Sequence, residues 1–298
     1  YLKMLLYQSE LKSLEILSKG KVRDIYNIDD KKMLIVTTDR LSAFDVILKE
    51  PIPNKGKVLT KMASFWFKKL SHIIPNHLLD DDPASFVSIN EAVQVKDRSV
   101  VVKKLTPLPV EAIVRGYLLG SGWKEYQETG SICDIRLPQN LQQASKFNNP
   151  IFTPSSKAEQ GKHDQNISLT KCESLIGKEL TDKITKISLS LYSAAASFAE
   201  DKGIIIADTK FEFGLDASGD LFLIDEALTP DSSRFWPKEK YKLGISPPSF
   251  DKQYIRDWLE SINWDKNSPA PSLPEEVIVN TAHKYLEAYS RITEQKIF

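Results

Sequence analysis

Charged residues alternate with aromatic residues along one segment of the chain, and further acids follow a short distance later. The segment 208–214 reads Asp-Thr-Lys-Phe-Glu-Phe-Gly, and the hydrophobic segment 221–224 ends at Asp225. This alternation is typical of a strand with one buried face, and the Ser-Gly pair at 218–219 predicts a two-residue hairpin loop. In that register Glu212 lies directly opposite Asp225, with their Cβ atoms about 4.5–5.5 Å apart.

Two facing carboxylates repel each other unless a positive charge lies between them. Because Mg²⁺ commonly binds one or two carboxylates together with substrate phosphates, we expect Glu212 and Asp225 to bind magnesium. The alternative is an exposed strand face with two solvated acids and Lys210 as their local partner. A shift of one residue in the register would also separate the pair.

Neither common phosphate-binding motif, G-x-x-x-x-G-K-[ST] or G-x-G-x-x-G, occurs in the chain. Three other segments combine glycine or hydroxyl groups with cations that suit phosphate or carboxylate oxygens, and they are 20–23, 115–122 and 231–234. Each segment alone is as compatible with an ordinary turn carrying solvated charges.

Other kinds of chemistry lack their sequence signals. The four histidines show no H-E-x-x-H spacing, and the two cysteines, Cys133 and Cys172, form no close pair. No G-x-S-x-G motif is present. Any catalysis is therefore expected to depend on a metal ion and on charge.

The composition limits the partners of the protein. The 40 basic residues are balanced by 40 acidic residues, so no surplus positive charge is available for nucleic acid. No apolar run approaches the roughly 20 residues of a membrane span, and no secretion signal is evident. We therefore expect no nucleic-acid or membrane partner, and the cysteine usage favours the cytoplasm.

Strand patterns dominate the first part of the chain and helix patterns the last part, which predicts an α+β fold. The periodicity favours helices over 58–70, 180–198, 251–261 and 274–293, and 148–168 reads as a long polar loop. Pro107 and Pro109 interrupt the strand pattern. We place the boundary between two lobes there, with one lobe at 1–107 and the other at 108–298.

Several motifs together resemble one family, the SAICAR synthetases (phosphoribosylaminoimidazole-succinocarboxamide synthases). They are Gly-Lys-Val-Arg-Asp at 20–24, Thr-Asp-Arg-Leu-Ser-Ala-Phe-Asp at 38–45, Glu-Ala-Ile-Val-Arg-Gly-Tyr at 111–117, Ser-Lys-Ala-Glu at 156–159, the hairpin at 208–226, and Pro-Asp-Ser-Ser-Arg at 230–234. Their order along the chain is that of the family.

The resemblance implies an ATP-dependent carbon–nitrogen ligase of purine biosynthesis. Such an enzyme joins L-aspartate to the carboxylate of the carboxylated aminoimidazole ribotide (CAIR), through an acyl phosphate, and gives SAICAR, ADP and phosphate. The implied fold has a β-rich first lobe similar to kinases and ATP-grasp enzymes, a larger α+β lobe, and an ATP cleft between them. The chain length resembles that of monomeric members.

The resemblance also implies roles for individual residues. ATP is expected to bind at Gly20, Lys21, Arg23, Lys104, Leu105 and Lys157, and the metal at Glu212 and Asp225. Substrate is expected at Ser42, Asp45, Arg115, Ser121, Glu159, His163 and Asp164, and catalysis at Lys210, Asp231 and Arg234. The alternatives are another ATP- and magnesium-dependent phosphotransferase and a non-catalytic nucleotide-binding module.

Overall fold

Two antiparallel sheets carry the longer strands of the chain. The structure, a computed structural model, describes residues 5–157, 165–250 and 252–297. The smaller sheet has four strands in the order β1-β2-β3-β6, with bounds Glu15–Lys19, Arg23–Asn27, Lys32–Thr37 and Ser99–Lys103. Its inner face packs a core that includes Tyr26, Leu34 and Val101. The loop of residues 20–22, between β1 and β2, therefore lies at one end of this sheet.

The larger sheet is organised around one long strand, β14 (Ile204–Leu215), which pairs with four other strands. Those four are β7 (Thr106–Pro107), β8 (Val110–Tyr117), β15 (Leu221–Ile224) and β16 (Ser233–Pro237). The sheet is completed by β11 (Lys146–Phe152), β12 (Ser155–Ser156) and β13 (Gln165–Asn166). Two short pairs lie apart, β4 (Ser42–Ala43) with β5 (Val46–Ile47) and β9 (Ser131–Ile132) with β10 (Ile135–Arg136).

Seven α-helices occur in the described residues, and several cover the larger sheet. They are α1 (Lys55–Lys69), α2 (Ala92–Val95), α3 (Gly120–Thr129), α4 (Leu169–Ile176), α5 (Lys178–Asp201), α6 (Gln253–Ser261) and α7 (Glu275–Thr293). Helix α5 buries Ile184, Leu191 and Ala195 at helical spacing and packs against β14 and β8. Helix α1 contacts both α7 and β3. The C-terminal helices therefore reach the junction between the two sheets.

The segment Pro75–Leu78 connects the two sheets through the backbone. Asn76 forms a parallel bridge with Leu223 of β15, and Leu78 forms an antiparallel bridge with Val102 of β6. The His77 amide donates to the Leu223 carbonyl at 3.1 Å, and the Lys103 amide donates to the His77 carbonyl at 2.8 Å. One short segment is thus hydrogen-bonded to both sheets.

The described elements agree with most of the sequence predictions. The helices predicted at 58–70, 180–198, 251–261 and 274–293 correspond to α1, α5, α6 and α7. The prediction of a single long polar loop over 148–168 was wrong, because parts of it pair with β8 as β11 and β12. None of the helices in the described ranges is long and apolar enough to cross a membrane.

A prediction concerns Glu91, which ties the N-terminal segment to the chain before α2. Its carboxylate accepts hydrogen bonds from the Ser13 hydroxyl, the Lys12 amide and the Ser88 amide and hydroxyl. These bonds, the one from Ser13 foremost, lower the pKa of Glu91 to about 2. The stabilisation is therefore complete above the ordinary glutamate pKa and is lost as the pH falls toward the folded-state pKa.

We expect Glu91→Gln to lower the free energy of unfolding at neutral pH and to flatten its decrease between about pH 5 and pH 3. Urea unfolding at several pH values measures both effects. Glu128→Gln, at an exposed position of α3, is the control and should follow the unsubstituted chain. Parallel pH curves for the chain with and without Glu91→Gln would contradict the assignment.

Candidate functional site

The acidic hairpin has a different register from the predicted one. Glu212 pairs with Ile224 and not with Asp225. The reason is the loop, which has three residues instead of two: the Asp216 amide donates to the Asp220 carbonyl at 3.0 Å. Gly219 has a φ of 83°, the left-handed conformation expected for the last residue of a three-residue hairpin loop. The predicted direct opposition of Glu212 and Asp225 was therefore wrong.

Asp225 nevertheless turns its carboxylate into the same charged region. Strand β15 ends at Ile224, and Asp225 has a φ of 67°, so the alternation of side chains stops there. Its two oxygens accept from both terminal nitrogens of Arg23, at 2.7 and 2.8 Å. Burial raises the pKa of the Asp225 carboxyl, the Arg23 guanidinium opposes this, and the negative charge of Glu212 adds to it. The two acids thus act on each other electrostatically.

Glu212 is held by two lysine side chains. Its carboxylate accepts from Lys210 at 2.8 Å and from Lys157 at 2.6 Å. Burial alone would raise the pKa of Glu212, but the two ammonium groups lower it to about 2. Lys210 also donates to Glu111 at 2.7 Å, and its pKa is raised because the two acids outweigh the effect of burial. Of the two hairpin acids, Lys210 therefore pairs with Glu212 alone, whereas the alternative interpretation made it the partner of both.

Glu212 and Asp225 alone supply too few oxygens to hold Mg²⁺, so a bound ligand would have to supply others. The described residues contain no group of three or more His, Cys, Asp or Glu side chains that could hold a metal. Mg²⁺ usually keeps waters and binds through one or two carboxylates plus substrate phosphates. Glu212 and Asp225 match that requirement, because a phosphate would supply the remaining oxygens and also attract the neighbouring cations.

The loop at residues 20–22 closes one end of a cleft of about 500 Å³. The predicted residues that line this cleft are Gly20, Lys21, Arg23, Ser42, Asp45, Lys210, Asp225 and Asp231. Lys21 forms an ion pair with Asp45 across the opening. The Arg40 guanidinium donates to the carbonyls of Gly20 and Lys21, at 3.0 and 3.1 Å, and so fixes the loop.

A second cationic group lies at the other end, around a cavity of about 590 Å³. Arg115 donates to the Ser121 hydroxyl at 3.0 Å and to Asp208 at 3.3 Å. Arg234 donates to the same Asp208 oxygen at 2.5 Å. One buried carboxylate thus holds two guanidinium groups side by side, and Ser121, Arg234 and Gly120 line the cavity. This arrangement suits a phosphate or carboxylate group.

Some predicted residues lie elsewhere. Lys104 and Leu105 occupy the connection between β6 and β7, outside the cavities described above, and the Lys104 ammonium donates to Asn27. Glu159, His163 and Asp164 lie outside the described residues. Their expected roles therefore remain predictions.

Sequence reasoning missed several residues of the cleft. Lys252 and Arg256 both line it, yet neither belongs to a recognised motif. Their spacing of four residues at the beginning of a predicted helix was the available signal, since it places two cations on one helix face. Lys55 of α1 and Tyr285 of α7 both donate hydrogen bonds to Asp231. A local sequence pattern cannot predict contacts between segments so far apart in the chain.

A cleft with a glycine–cation loop at one end, Asp225 between and the Arg234 guanidinium at the other is typical of enzymes that handle phosphate-bearing substrates. The model of the SAICAR synthetase family matches residues 16–271. The chain belongs to the SAICAR synthetase family.

Curated relatives agree over nearly the whole length. The phosphoribosylaminoimidazole-succinocarboxamide synthase of Methylobacillus flagellatus is 61% identical, with 97% of each chain covered. That of Cupriavidus metallidurans is 60% identical, with 98% of each chain covered.

Solved structures give the same fold. SAICAR synthase from Saccharomyces cerevisiae, complexed with SAICAR, has a TM-score of 0.90 and 43% identity over 98% of this chain and 99% of that one. A SAICAR synthetase in complex with ADP has a TM-score of 0.71 and 26% identity over 95% of this chain and 100% of that one. The expected α+β fold of this family is confirmed.

A prediction tests the paired guanidinium groups through Gly120. Its φ is 58°, and a Cβ there would lie 2.7 Å from a terminal nitrogen of Arg234. Gly130 has a φ of 71° and nothing within 4 Å of such a Cβ, so it is a matched control. Each Gly→Ala substitution should cost about 1 kcal/mol of stability from the backbone.

Only Gly120→Ala should also displace Arg234, and we expect it to lower kcat/KM for a substrate that Arg234 contacts by about 10- to 100-fold. Steady-state kinetics and thermal unfolding of both variants measure the two effects. Equal kinetics for Gly120→Ala and Gly130→Ala would mean that the position of Arg234 does not matter for this substrate.

Proposed function

We propose that the cleft joins L-aspartate to the carboxylate of CAIR at the expense of ATP, giving SAICAR, ADP and phosphate. The observation that carries this is the family match over residues 16–271. The yeast relative complexed with SAICAR and the relative complexed with ADP support two of the three proposed products. The family membership favours neither a different phosphotransferase nor a non-catalytic module.

The loop end of the cleft is proposed to bind the phosphates of ATP. Backbone groups near Gly20 permit close approach, and Lys21 and Arg23 supply positive charge. Glu212 and Asp225 would hold Mg²⁺, which when bound neutralises charge on the phosphates. Lys157 contacts Glu212 directly, and it would exchange that ion pair for a phosphate oxygen.

The guanidinium end is proposed to bind CAIR. Arg115 and Ser121 are already bonded to each other, so their donors are oriented before substrate arrives. Asp208 also binds Arg234, which supplies a second guanidinium group at this end. Lys210 is proposed to lie between the two ends of the cleft. Its ammonium group is proposed to stabilise the negative charge of the CAIR carboxylate while the acyl phosphate forms and while the aspartate amine attacks it.

Acyl-phosphate chemistry needs positioning more than a strong acid or base. The ATP γ-phosphoryl group passes to a carboxylate oxygen of CAIR, and the amine of L-aspartate then displaces phosphate from the acyl carbon. The amine must lose its proton before it attacks. Asp231 is not suited to accept this proton, because Lys252, Lys55 and Tyr285 lower its pKa against the effect of burial.

The remaining expectations belong to the same proposal. Lys104 and Leu105 are proposed to lie beside the adenine, and Ser42 and Asp45 to line the substrate side. Glu159, His163 and Asp164 are proposed to close over the substrates. We propose a nucleotide-binding lobe at 1–107, a substrate lobe at 108–298, a monomer, and a cytoplasmic site of action. The two buried free cysteines fit a reducing compartment.

The reaction itself is tested by omission. With MgATP, CAIR and L-aspartate present, we expect equal release of ADP, phosphate and SAICAR, resolved by chromatography and a phosphate assay. Omission of either CAIR or L-aspartate should abolish SAICAR. Phosphate release that continues at the same rate without CAIR and without L-aspartate would refute the ligase assignment.

A prediction tests the two acids. Glu212→Gln and Asp225→Asn keep the size of the side chains and remove one negative charge each, so we expect kcat to fall by about 100-fold in each variant. The Mg²⁺ concentration needed for half-maximal activity should rise as well. The readouts are a magnesium titration of the initial rate and thermal unfolding.

Asp220→Asn is the matched control, because Asp220 belongs to the same hairpin but lies exposed in its loop. It should leave the rate and the magnesium dependence unchanged. Glu212→Gln and Asp225→Asn variants with unchanged magnesium titrations would refute the proposed metal site, while the ligase assignment would stand on the omission experiment.

A further inference from the structure

Three buried side chains from distant parts of the chain meet behind one wall of the cleft. The Asp231 carboxylate accepts from the Tyr285 hydroxyl at 2.5 Å through one oxygen and from the Lys55 ammonium at 2.7 Å through the other. Lys55 is 0% exposed and Asp231 3%. Lys55 belongs to α1 and Tyr285 to α7, so the cluster joins the N-terminal and C-terminal helices.

A second ammonium group shares the same carboxylate. Lys252, directly before α6, lies 3.3 Å from the Asp231 oxygen that Lys55 already contacts. Unlike Lys55, it is partly exposed, at 15%, and it lines the cleft of about 500 Å³. One Asp231 oxygen therefore binds two lysines, and of the two only Lys252 lines the cleft.

The charges within this cluster do not cancel. Two ammonium groups and one carboxylate leave an excess of one positive charge in largely buried surroundings, where an unneutralised charge is costly. The Glu226 carboxylate affects Lys55 only through its charge and not through a contact. Its ion-pair partner is Arg23, at 3.7 Å, so it does not neutralise this cluster. An anion that entered the cleft beside Lys252 would balance the excess.

The neighbouring turn of α6 presents a second cation to the same space. Arg256 follows Lys252 by four residues and lines both larger cavities, together with a polar pocket of about 120 Å³ that also contains Arg234. It forms no ion pair with another described residue. The cations of α6 therefore lie between the loop end and the guanidinium end of the cleft.

We propose that Tyr285 and Lys55 are positioning residues, which hold Asp231 so that Asp231 holds the Lys252 ammonium in the cleft to bind an oxyanion of one substrate. The oxyanion is a carboxylate or a phosphate. This inference rests on the proposed ligase function, and it assigns to the C-terminal helix α7 a part in substrate binding. Asp231 acts here as a fixed negative charge and not as a proton carrier.

The geometry requires the Tyr285 hydroxyl in particular. Asp231 has two oxygens, and Lys55 and Lys252 both lie on one of them. The Tyr285 hydroxyl is the donor on the other, so it fixes the rotation of the carboxylate. Without this hydrogen bond the carboxylate can turn, and the direction of Lys252 is no longer set.

The experiment compares two tyrosines of the same helix. Tyr285→Phe removes the hydroxyl that Asp231 accepts from, and Tyr289→Phe removes a buried hydroxyl, one turn later, that donates to Gln295 at 3.3 Å. KM values for ATP, CAIR and L-aspartate are measured separately at saturating levels of the other two. We expect Tyr285→Phe to raise one of the three KM values about fivefold or more, with kcat within about twofold, and Tyr289→Phe to change none.

Variants of Lys252 show whether the effect passes through its ammonium group. Lys252→Met should raise the KM of the same substrate as Tyr285→Phe, and Lys252→Arg should restore much of the affinity because the charge is kept. In the double variant, Tyr285→Phe should add no further increase, since its target is already gone. The affected substrate identifies the oxyanion: a phosphate for ATP, a carboxylate for L-aspartate, and either for CAIR.

Three outcomes would overturn the proposal. They are unchanged KM values in Tyr285→Phe or Lys252→Met, effects of the two substitutions on different substrates, and additive effects in the double variant. Should Tyr285→Phe fail to fold, the comparison of Lys252→Met with Lys252→Arg still decides whether the ammonium binds substrate. Failure of the ligase assignment is a separate result, because it would appear in the unsubstituted chain as turnover without CAIR or L-aspartate.

Discussion

The ion pair between Arg23 and Asp225 is the contact on which the cleft depends. Arg23 begins β2 of the smaller sheet, and Asp225 follows the last residue of β15 in the larger sheet. Each terminal nitrogen of Arg23 donates to one oxygen of Asp225, and such paired hydrogen bonds are the strong form of a guanidinium–carboxylate contact. The pair therefore brings together the loop proposed to bind phosphates and the acid proposed to bind magnesium.

Three acids in and beside the cleft already pair with cations that a substrate would also attract. Lys210 and Lys157 hold Glu212, Lys21 holds Asp45, and Arg115 with Arg234 holds Asp208. Under the proposed function, anionic substrates would bind by exchange of these partners, which requires no large movement of the cations. Because the pairs of Glu212 and Asp208 are partly buried, their strength depends less on salt than that of the exposed Lys21–Asp45 pair.

The sequence was sufficient for the long helices but not for every strand or for all of the contacts. Hydrophobic spacing located α1, α5 and α7, because a helix that buries one face must repeat its apolar residues. The hairpin register was missed, because a Ser-Gly pair fits a two-residue or a three-residue loop and only the backbone of Gly219 distinguishes them. Asp225 nevertheless lines the cleft, because its own backbone is left-handed. The alternation of side chains along a strand cannot predict such a conformation.

The cluster around Asp231 could not be predicted for a different reason. Its members, Lys55, Asp231, Lys252 and Tyr285, are brought together only by the packing of α1, α6 and α7. A buried lysine at a helix start looks like any surface lysine in the sequence, and burial is decided by the tertiary fold. The family motifs, by contrast, lie on single strands or loops, where neighbours in sequence are neighbours in space.

The backbone bridges of residues 75–78 limit how the two sheets can move relative to each other. This segment is hydrogen-bonded to β15 on one side and to β6 on the other, so the edges of the two sheets stay at a fixed separation there. A rotation that widened the cleft would pivot about this segment, and the mouth would travel farther than the floor. Nucleotide could then enter and leave while the acids at the floor keep their spacing.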